Sequence, residues 1–558
     1  MFSRYYKTKT AKIPGNRITI ECRNSDICLA KSYGLRVLER LAVTLLDLMD
    51  MILLVNPPVA KPSEPPAGIA RLAGTLAHFG IACDVLDANI EGLLYLSGMS
   101  LPTDTGLDVW SERAFNGISR NLQSLRDPGL YGNKDRYSRA VKDIGRVLDR
   151  VTPRGVSVKL ADYEDRHLSP LKSSDLLAAA ERPGINPFYS FFRARLLGIL
   201  QTKEVSVVGI SLNYLSQALC AFSIIGFLKH EFPEITIVLG GGLVTSWMKN
   251  PGWHNPFAGL VAHLISGPGE ARLLSILGID TPEGESARPA YRCFPCESYL
   301  APGFVLPYSS SSGCYWNRCS FCPEKAEKNP YRPLPPHLVT AQLRKLAGEI
   351  PPALIHLLDN AVSPALLDAL AAERFPFPWY GFARIGRRLA DPDFCVLLKQ
   401  AGCVMLQLGV ESGDQDVLDS MEKGISVEMA STVLKNLKRA GIASYVYLLF
   451  GTPDETEDRA RKTLEFTVRN SRYIDFLNLA IFNMPLCGER DHDIETMEFY
   501  RADLSLYTDF IHPKGWDRKR VRLFLDNEFK RHTAVSPILK NDPPVFTSSH
   551  APFFMMKR

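Results

Sequence analysis

The sequence lacks the features that mark membrane, secreted and nucleic-acid-binding proteins. No window reaches the roughly 18 uncharged apolar residues that a spanning helix needs. The N-terminus has no apolar core followed by a small-residue cleavage site. The formal net charge over 558 residues is only +5, too small to favour a nucleic-acid partner. We therefore expect a cytoplasmic protein with no transmembrane segment, acting on a small molecule rather than on nucleic acid.

The chain also lacks the cysteine density of a disulfide scaffold and the charge excess of a disordered chain. Its 12 cysteines, 46% hydrophobic residues and 22% charged residues are typical of a globular protein with large cores. At a domain size of roughly 150 residues, the length gives three or four units, or fewer if one is an α/β barrel. In a reducing cytosol, clustered cysteines are more often metal ligands or catalytic groups than disulfides.

Residues 51–290 predict a doubly wound, Rossmann-like α/β domain. MILLVNPP and IACDVLDAN read as strands around the helical pattern AGIARLAGTLAHFG, with Gly80 at its C-cap. Residues from about 92 to 200 are more polar and predict a helical insert. VSVVGISL and ITIVLGGG then resume the strands, so the two halves form one parallel sheet.

Three glycines follow the last of these strands, where open α/β sheets bind ligands. They are Gly240, Gly241 and Gly242. The pattern predicts a ligand crevice, and simple turning of the chain is an equally good explanation, since neither G-x-G-x-x-G nor a P-loop is present.

Strands and helices alternate with a longer period after a linker near 281–290. Six runs read as strands: FVLPYSSSSG, ALIHLLDN, PWYGFARI, CVMLQLGVES, ASYVYLLFG and DFLNLAIFN. They predict a partial, TIM-like (β/α)6 barrel over residues 291–490, with its chemistry at the C-terminal ends of the strands. We interpret residues 1–50 and 491–558 as N-terminal and C-terminal extensions, with Met51 as an alternative natural start.

The strongest motif is SSGCYWNRCSFCPE, directly after the first barrel strand. It places Cys314, Cys319 and Cys322 in a C-x4-C-x2-C arrangement. Three thiolates on one short loop can converge on a soft metal centre. A closed zinc site needs four ligands, whereas a cubane iron-sulfur cluster held by three leaves one iron open for chemistry.

A zinc site is the alternative for these cysteines. Cys293 and Cys296 form a second C-x2-C, which with Cys319 and Cys322 resembles a zinc ribbon of slightly long spacing. That reading leaves Cys314 without a role. Small-hydrophobe packing is the default for the remaining cysteines, at positions 22, 28, 83, 220, 395, 403 and 487.

With these motifs in order, the chain from about Met51 resembles the radical S-adenosylmethionine (radical SAM) superfamily, in its branch with an N-terminal cobalamin-binding-type domain. VNPP, VVGISL, VLGGG and SGPGEARLLSIL are similar to that N-terminal domain. GCYWNRCSFC is similar to the cluster loop, and LLDNAVSPALLDAL, GFARI, LGVESGDQDVLDSMEKG and YLLFGTPDETEDRARKTLEF are similar to the barrel units that follow.

The resemblance implies a 4Fe-4S cluster on Cys314, Cys319 and Cys322, whose open iron is chelated by SAM. Reductive cleavage of SAM would then give methionine and a 5′-deoxyadenosyl radical that abstracts hydrogen from the substrate. An electron donor such as flavodoxin or ferredoxin would supply the electron.

The resemblance also implies a set of SAM contacts. Phe321 would shield the cluster and lie against the adenine, and Arg384 would bind the methionyl carboxylate. Glu411 and Ser412 would contact the ribose or methionyl group, and Gly451 would allow close approach of the backbone near the adenine. The alternative for Arg384 and Glu411 is a buried ion pair.

Two departures from the family pattern are visible. The usual cluster spacing is C-x3-C-x2-C, so this loop has one extra residue. The D-x-H-x-x-G motif that supplies a histidine to cobalt is missing, because the first strand runs into NPPVAKPSEPP. Its companion motif S-x-L reads as Ser211, Leu212 and Asn213. Cobalamin would then bind without a protein histidine, using the crevice at Gly240 to Gly242, or the domain has kept its fold and lost the cofactor.

Three functions follow from these readings. The leading one is a cobalamin-dependent radical SAM methyltransferase, or an enzyme of a related rearrangement, acting on a small metabolite or peptide. The second is a cobalamin-independent radical SAM enzyme catalysing dehydrogenation, cyclisation, or C-C or C-S bond formation. The third is a zinc-stapled nucleotide-binding or scaffold protein.

Overall fold

The computed structural model describes residues 8–13, 16–21, 51–100, 108–279, 287–488, 494–498, 500–544 and 550–555. The chain divides into two compact units, residues 1–50 and 51–558. In the first unit, strands Thr8–Ile13 and Asn16–Glu21 form an antiparallel hairpin. No helix in the described residues is both long and apolar enough to cross a membrane.

A five-stranded parallel sheet forms the first part of the second unit. Its strands are β1 (Met51–Asn56), β2 (Cys83–Asp87), β3 (Val205–Ser211), β4 (Thr236–Gly240) and β5 (His263–Leu264). Their spatial order is β2-β1-β3-β4-β5, so the chain crosses from one side of β1 to the other between β2 and β3. This is the predicted doubly wound arrangement, with a short fifth strand that the sequence pattern did not indicate.

Helices cover both faces of this sheet. The helices that directly follow β1, β3 and β4 are Ala67–His78, Leu215–Glu231 and Gly242–Lys249. Gly80 ends the first of them with φ +69, a conformation that glycine adopts without strain. Residues 52–55 of β1 are fully buried because both faces of the sheet are covered. A strand buried on both faces is expected to be a continuous apolar run, as β1 is.

Between β2 and β3 lies the predicted insert, and it is not purely helical. Its helices are Val109–Ser124, Lys134–Val151, Ser173–Glu181 and Tyr189–Leu200. Strands Val156–Lys159 and Asp162–Asp165 add an antiparallel hairpin. Only Val158 and Tyr163 of this hairpin are fully buried, so the apolar alternation that would predict it is very short.

Six parallel strands in consecutive order form the second part, and all six predicted barrel strands are confirmed. They are β6 (Val305–Tyr308), β7 (Leu354–Leu357), β8 (Trp379–Ala383), β9 (Cys403–Glu411), β10 (Ala443–Phe450) and β11 (Phe476–Ile481). Outer helices connect them, which gives the partial (β/α)6 barrel. A separate apolar cluster that includes Leu354, Tyr380 and Tyr445 packs inside it, near the end at which the strands begin.

The C-terminal region closes the end of the barrel at which the strands begin. Ala551, Phe554 and Met555 belong to, or pack on, the interior cluster. Phe553 packs against Tyr131 and Tyr137 of the insert. The end at which the strands finish is left for the functional groups.

The remaining elements connect or flank the two sheets. The helices are Ala88–Ser97, Glu270–Ile276, Pro323–Ala326, Pro336–Glu349, Pro364–Ala372, Arg387–Ala390, Pro392–Gln400, Gln415–Ser420, Val427–Ala440, Glu457–Asn470, Arg518–Phe524, Ser536–Lys540 and Pro552–Met555, with a π-helical turn at Leu525–Phe529 and 3-10 turns at Pro128–Gly132, Pro183–Ile185, Cys296–Ser298 and Ser471–Tyr473. The short strands are Ser311–Ser312 with Arg332–Pro333, and Met484–Pro485, Thr496–Met497 and Tyr507–Phe510.

Candidate functional site

The cysteine loop begins where β6 ends, and a buried carboxylate fixes its start. Asp359, just beyond β7, accepts hydrogen bonds from the Ser310 amide at 3.2 Å, the Ser310 hydroxyl at 2.6 Å and the Ser311 hydroxyl at 2.5 Å. Gly313 has φ +71, and a Cβ there would lie 2.5 Å from the carbonyl oxygen of Pro330. The residue before Cys314 therefore has to be glycine.

The three predicted cluster ligands are free, partly exposed thiols. Burial raises the pKa of Cys319, although the nearby positive charges of Lys423 and Arg384 oppose the shift. Burial also raises the pKa of Cys322 to about 11. Both thiols lie close to Cys314. An all-thiol donor set on one loop fits an iron-sulfur cluster. Iron binds the thiolate form, so cluster binding would displace the protons that these thiols hold when the site is empty.

The alternative zinc site does not form among the described residues. Cys293 lies near Cys83, Cys296 and Asp84, whereas Cys319 and Cys322 lie near Cys314. No group of three or more histidine, cysteine or acidic side chains in the described ranges is placed to hold one metal ion. A cubane cluster needs no such convergence, because each thiolate binds a different iron.

An aromatic side chain fastens the cysteine loop to the turn after β9. The Trp316 indole donates to the Glu422 carbonyl oxygen at 3.0 Å, and the Ser320 amide donates to the Met421 carbonyl oxygen at 3.0 Å. A Cβ on Gly424 would lie 2.2 Å from the Trp316 ring. The loop therefore depends on a residue more than a hundred positions away.

Arg384, predicted to bind the SAM carboxylate, lies directly beside the cysteines. Its guanidinium stacks on Trp316 at 4.0 Å from the ring centre, and Nη1 lies 3.9 Å from Cys319 Sγ. Nη2 donates to the Lys423 carbonyl oxygen at 2.5 Å. The side chain is thus held in place, with its positive charge against the predicted cluster.

Glu411 forms a buried ion pair, but not with Arg384 as the alternative reading supposed. Its Oε1 lies 2.7 Å from Lys423 Nζ, and both side chains are about nine-tenths buried. A register shift between Gly409 and Glu411 and a φ of +65 place Glu411 at the end of β9. A Cβ on Gly409 would lie 2.3 Å from Glu411 Oε1 and 2.7 Å from Lys423 Nζ. Lys423 was missed because nothing in EKGI distinguishes it from a surface lysine.

The other predicted SAM contacts have mixed surroundings. The Phe321 ring centre lies 5.5 Å from Lys423 Nζ, so this side chain belongs to the same group of residues. Ser412 is fully buried, its hydroxyl 3.1 Å from Thr463 Oγ1 and accepting from the Asp414 amide. Its hydroxyl is therefore committed to packing the turn rather than pointing into an open site.

Gly451 directly follows β10 and has φ +78. Its amide donates to Glu455 Oε2 at 2.6 Å. The Trp516 indole donates to the same oxygen at 2.9 Å. Burial raises the pKa of Glu455 to about 7, although these two hydrogen bonds favour its ionised form. Trp516 from the C-terminal region thereby fixes the turn that carries Gly451.

The predicted glycine crevice forms at the C-terminal ends of β3 and β4. Gly241 has φ +112, and a Cβ on it would lie 2.3 Å from the Leu212 carbonyl oxygen. The Gly242 amide donates to Asn213 Oδ1 at 2.9 Å, and the Leu212 amide donates to the Gly240 carbonyl oxygen at 2.7 Å. The S-x-L counterpart and the three glycines therefore form one tight pair of loops.

A cavity of about 750 Å³ joins this crevice to the cysteine loop. Its lining includes Leu54, Gly209 and the three glycines on one side, and Gly313, Pro323 and Glu327 on the other. Ser246 donates to Glu327 at 2.6 Å across the boundary between the two sides. Cys487, predicted to be a packing residue, also lines this cavity. The three glycines carry no side chains, so a ligand in this cavity could approach the backbone at that end.

Comparison with known proteins assigns the barrel. Residues 308–467 match the sequence model of the Radical SAM superfamily. This segment is a radical SAM domain. It contains the cysteine loop, Arg384, Glu411 and Gly451. The match confirms the predicted domain type, and the parallel sheets confirm the predicted α/β architecture. Members of this superfamily use a 4Fe-4S cluster and SAM.

Two curated relatives are named methyltransferases. The chain is 24% identical over 188 residues to an uncharacterized methyltransferase of Pyrococcus horikoshii, covering 32% of this chain and 40% of the relative. It is 31% identical over 100 residues to the bacteriochlorophyllide d C-12(1)-methyltransferase of Chlorobaculum tepidum, covering 16% of this chain and 22% of the relative. The matched segments thus span well under half of either relative.

Two of the solved structures that align with this chain contain bound cobalamin. The methyltransferase TsrM from Kitasatospora setae, with cobalamin and a 4Fe-4S cluster bound, aligns at 14% identity and a TM-score of 0.49, covering 89% of this chain and 90% of TsrM. OxsB with aqua-cobalamin bound aligns at 14% identity and a TM-score of 0.45, covering 79% of this chain and 54% of OxsB.

Proposed function

We propose that this protein is a cobalamin-dependent radical SAM methyltransferase acting on a small metabolite or peptide. The observation that carries the proposal is the cavity shared by the glycine crevice and the cysteine loop. A methyl carrier has to lie between the group that recharges it and the substrate, and this cavity extends from the glycine crevice to the cysteine loop. The methyltransferase names of the two curated relatives agree with this assignment.

Cys314, Cys319 and Cys322 would hold the cluster, and the SAM it binds would supply a primary carbon radical on one-electron reduction. Arg384, held by Trp316, offers its guanidinium to the carboxylate of SAM. The Glu411–Lys423 pair presents both charges beside Phe321 and fits the amino and hydroxyl groups of the same molecule. Gly451 leaves room for the adenine.

Gly240, Gly241 and Gly242 would hold cobalamin through shape and backbone amides. Loop 57–66 occupies the position where a D-x-H-x-x-G histidine would stand, and it contains no histidine. No histidine lines the cavity among the described residues. The corrin would therefore bind without a histidine ligand from the protein.

The proposal extends to the domain boundaries, the electron donor and the compartment. The domains would divide at residues 50, 290 and 490 as the sequence predicts. The electron would come from a carrier such as flavodoxin or ferredoxin, in the cytoplasm. A cobalamin-independent radical SAM enzyme remains the second candidate, because the missing histidine motif is its specific support.

One anaerobic preparation tests the proposal. The protein is reconstituted with iron and sulfide, titrated with hydroxocobalamin, and assayed with SAM labelled in the methyl group. We expect the absorption of a 4Fe-4S cluster, a saturable corrinoid spectrum and label transfer to an acceptor. A cluster with SAM cleavage but no corrinoid binding would favour the second candidate, and zinc without iron would contradict both.

A further inference from the structure

A histidine inside the barrel is paired with a carboxylate from the other sheet's loop. Glu64 lies in loop 57–66 after β1, and His356 lies in β7. His356 Nδ1 is 2.9 Å from Glu64 Oε1 and 3.1 Å from Oε2. The two side chains are 7% and 9% exposed. Nothing in the roles assigned above uses this pair.

The charges around the pair fix its protonation. Burial disfavours the Glu64 carboxylate, but His356 and Lys61, whose Nζ lies 2.8 Å away, outweigh it and lower the pKa of Glu64 to about 2. Burial also lowers the pKa of His356, and the attraction of Glu64 does not restore it. At neutral pH the carboxylate is ionised and the imidazole is neutral, so Nδ1 carries the proton and this N–H donates a hydrogen bond to Glu64.

This arrangement leaves a lone pair on Nε2. The imidazole stacks on Tyr380 of β8 with ring centres 4.3 Å apart and planes 8° apart, which fixes the orientation of the ring. Within the described residues, no hydrogen bond reaches Nε2. This nitrogen is also not among the fully enclosed polar atoms that lack a partner, so a small part of its surface is accessible.

A purely structural role explains this geometry poorly. Burying the Glu64 carboxylate costs its solvation by water, and apolar packing of the same volume would carry no such cost. A largely buried acceptor that finds no donor in the protein costs up to about 1–3 kcal/mol unless another molecule supplies the donor. An oriented imidazole with a free acceptor at the end of a barrel strand is instead what recognition of a donor requires.

We propose that the Glu64–His356 pair selects the substrate: Glu64 holds His356 so that Nε2 accepts a hydrogen bond from an N–H or O–H group of the molecule bound in the barrel. The substrate class is then an amide, amine, alcohol or phenol rather than a hydrocarbon or an ether. The proposal rests on the proposed function, since it assumes that the barrel interior receives the substrate.

Diethyl pyrocarbonate tests the free nitrogen directly, because it acylates unprotonated imidazole. The full-length, cluster-reconstituted protein is modified and its peptides are mapped by mass spectrometry. We expect acylation of His356, with the exposed His230 and His254 as internal standards. No modification of His356 under conditions that modify both standards would overturn the proposal.

A matched pair of probes tests the donor requirement. We expect 4-methylphenol to protect His356 at concentrations about fivefold lower than 4-methylanisole, because only the phenol donates and one neutral hydrogen bond is worth about 1 kcal/mol. Equal protection by the two compounds, or none by either, would contradict the proposal.

Glu64→Gln separates positioning from packing. We expect slower acylation of His356, because the amide can donate to Nδ1 and so favour the Nε2–H tautomer. Glu231→Gln is the matched control, since the solvent-exposed Glu231 lies 2.9 Å from His230 Nδ1, and there we expect no change. Unchanged acylation of His356 in Glu64→Gln would refute the positioning role. If SAM cleavage fails in the wild type while these results hold, only the proposed function fails.

Discussion

The two parallel sheets of this protein end in very different chemistry. The five-stranded sheet ends in glycines and backbone amides, and its acid Asp87 is already bound to Asn56 at 2.9 Å and Tyr299 at 2.6 Å. The barrel strands end in, or lead directly into turns with, charged or titratable groups, among them Arg384, Glu411 and Glu455. One sheet is suited to hold a cofactor by shape, and the other to hold and activate one by charge.

The contrast shows that similar strand ends do not imply similar roles. In both sheets the ligand-binding edge is the C-terminal one. In the barrel, removing one side chain should remove a cofactor or leave a charge unpaired. In the five-stranded sheet, adding a side chain should weaken cofactor binding.

Cys319→Ala should have the largest effect. We expect loss of the cluster and of 5′-deoxyadenosine formation, because two thiolates remain where three are needed. Iron and sulfide analysis with chromatography of the SAM products measures both. Cys293→Ala is the control and should keep both properties. Full SAM cleavage by Cys319→Ala would refute the assignment of the ligands.

Lys423→Met should have the next largest effect, because it leaves the Glu411 carboxylate buried without a partner. We expect the free energy of unfolding to fall by about 3–5 kcal/mol, measured by denaturant titration. Lys325→Met is the matched control, since Lys325 pairs at 2.7 Å with the exposed Glu422, and it should change stability much less. Equal losses in the two variants would show that burial does not decide the effect.

Glu455→Gln should remove a pH dependence. The pKa of Glu455 is about 7 in the folded protein against an ordinary 4.5, so the folded state binds this proton more tightly. Its contribution to stability is complete below pH 4.5 and is lost as the pH rises through 7. Between pH 4.5 and 8, the variant should therefore gain up to about 3 kcal/mol relative to the wild type. Parallel stability curves would contradict this prediction.

Gly242→Leu should have the smallest effect and tests the other sheet. A Cβ on Gly242 meets nothing closer than 3.7 Å, so the fold tolerates a side chain that would then stand in the cavity. Overpacking by about 1–3 kcal/mol should weaken hydroxocobalamin binding about tenfold or more. Gly198→Leu is the control, because Gly198 is an exposed position of helix Tyr189–Leu200 with open space at its Cβ. Unchanged corrinoid affinity in Gly242→Leu would remove the cavity from the account.

Much of the fold could be predicted because apolar runs and glycines are local signals. Each barrel strand is a run of four to nine residues in the structure, and each appears as such in the sequence. The hairpin at Val156–Lys159 and Asp162–Asp165 was missed because its buried alternation is too short.

The partners of charged residues could not be predicted in the same way. Glu411 pairs with Lys423 rather than Arg384, a choice set by the register shift at the end of β9. Glu64 and His356 are 292 residues apart and meet only because the two sheets pack together. The sequence motifs therefore located the cysteines and the barrel, whereas the surroundings of Arg384, Ser412 and Gly451 required the three-dimensional structure.

The most direct test of the central assignment is the reductive cleavage of SAM by the anaerobically reconstituted wild-type protein, with Cys319→Ala measured in parallel. We expect iron and sulfide in the wild type, with 5′-deoxyadenosine and methionine formed on reduction, and neither cluster nor products in the variant. A wild-type protein that holds zinc without iron and leaves SAM intact would contradict the assignment.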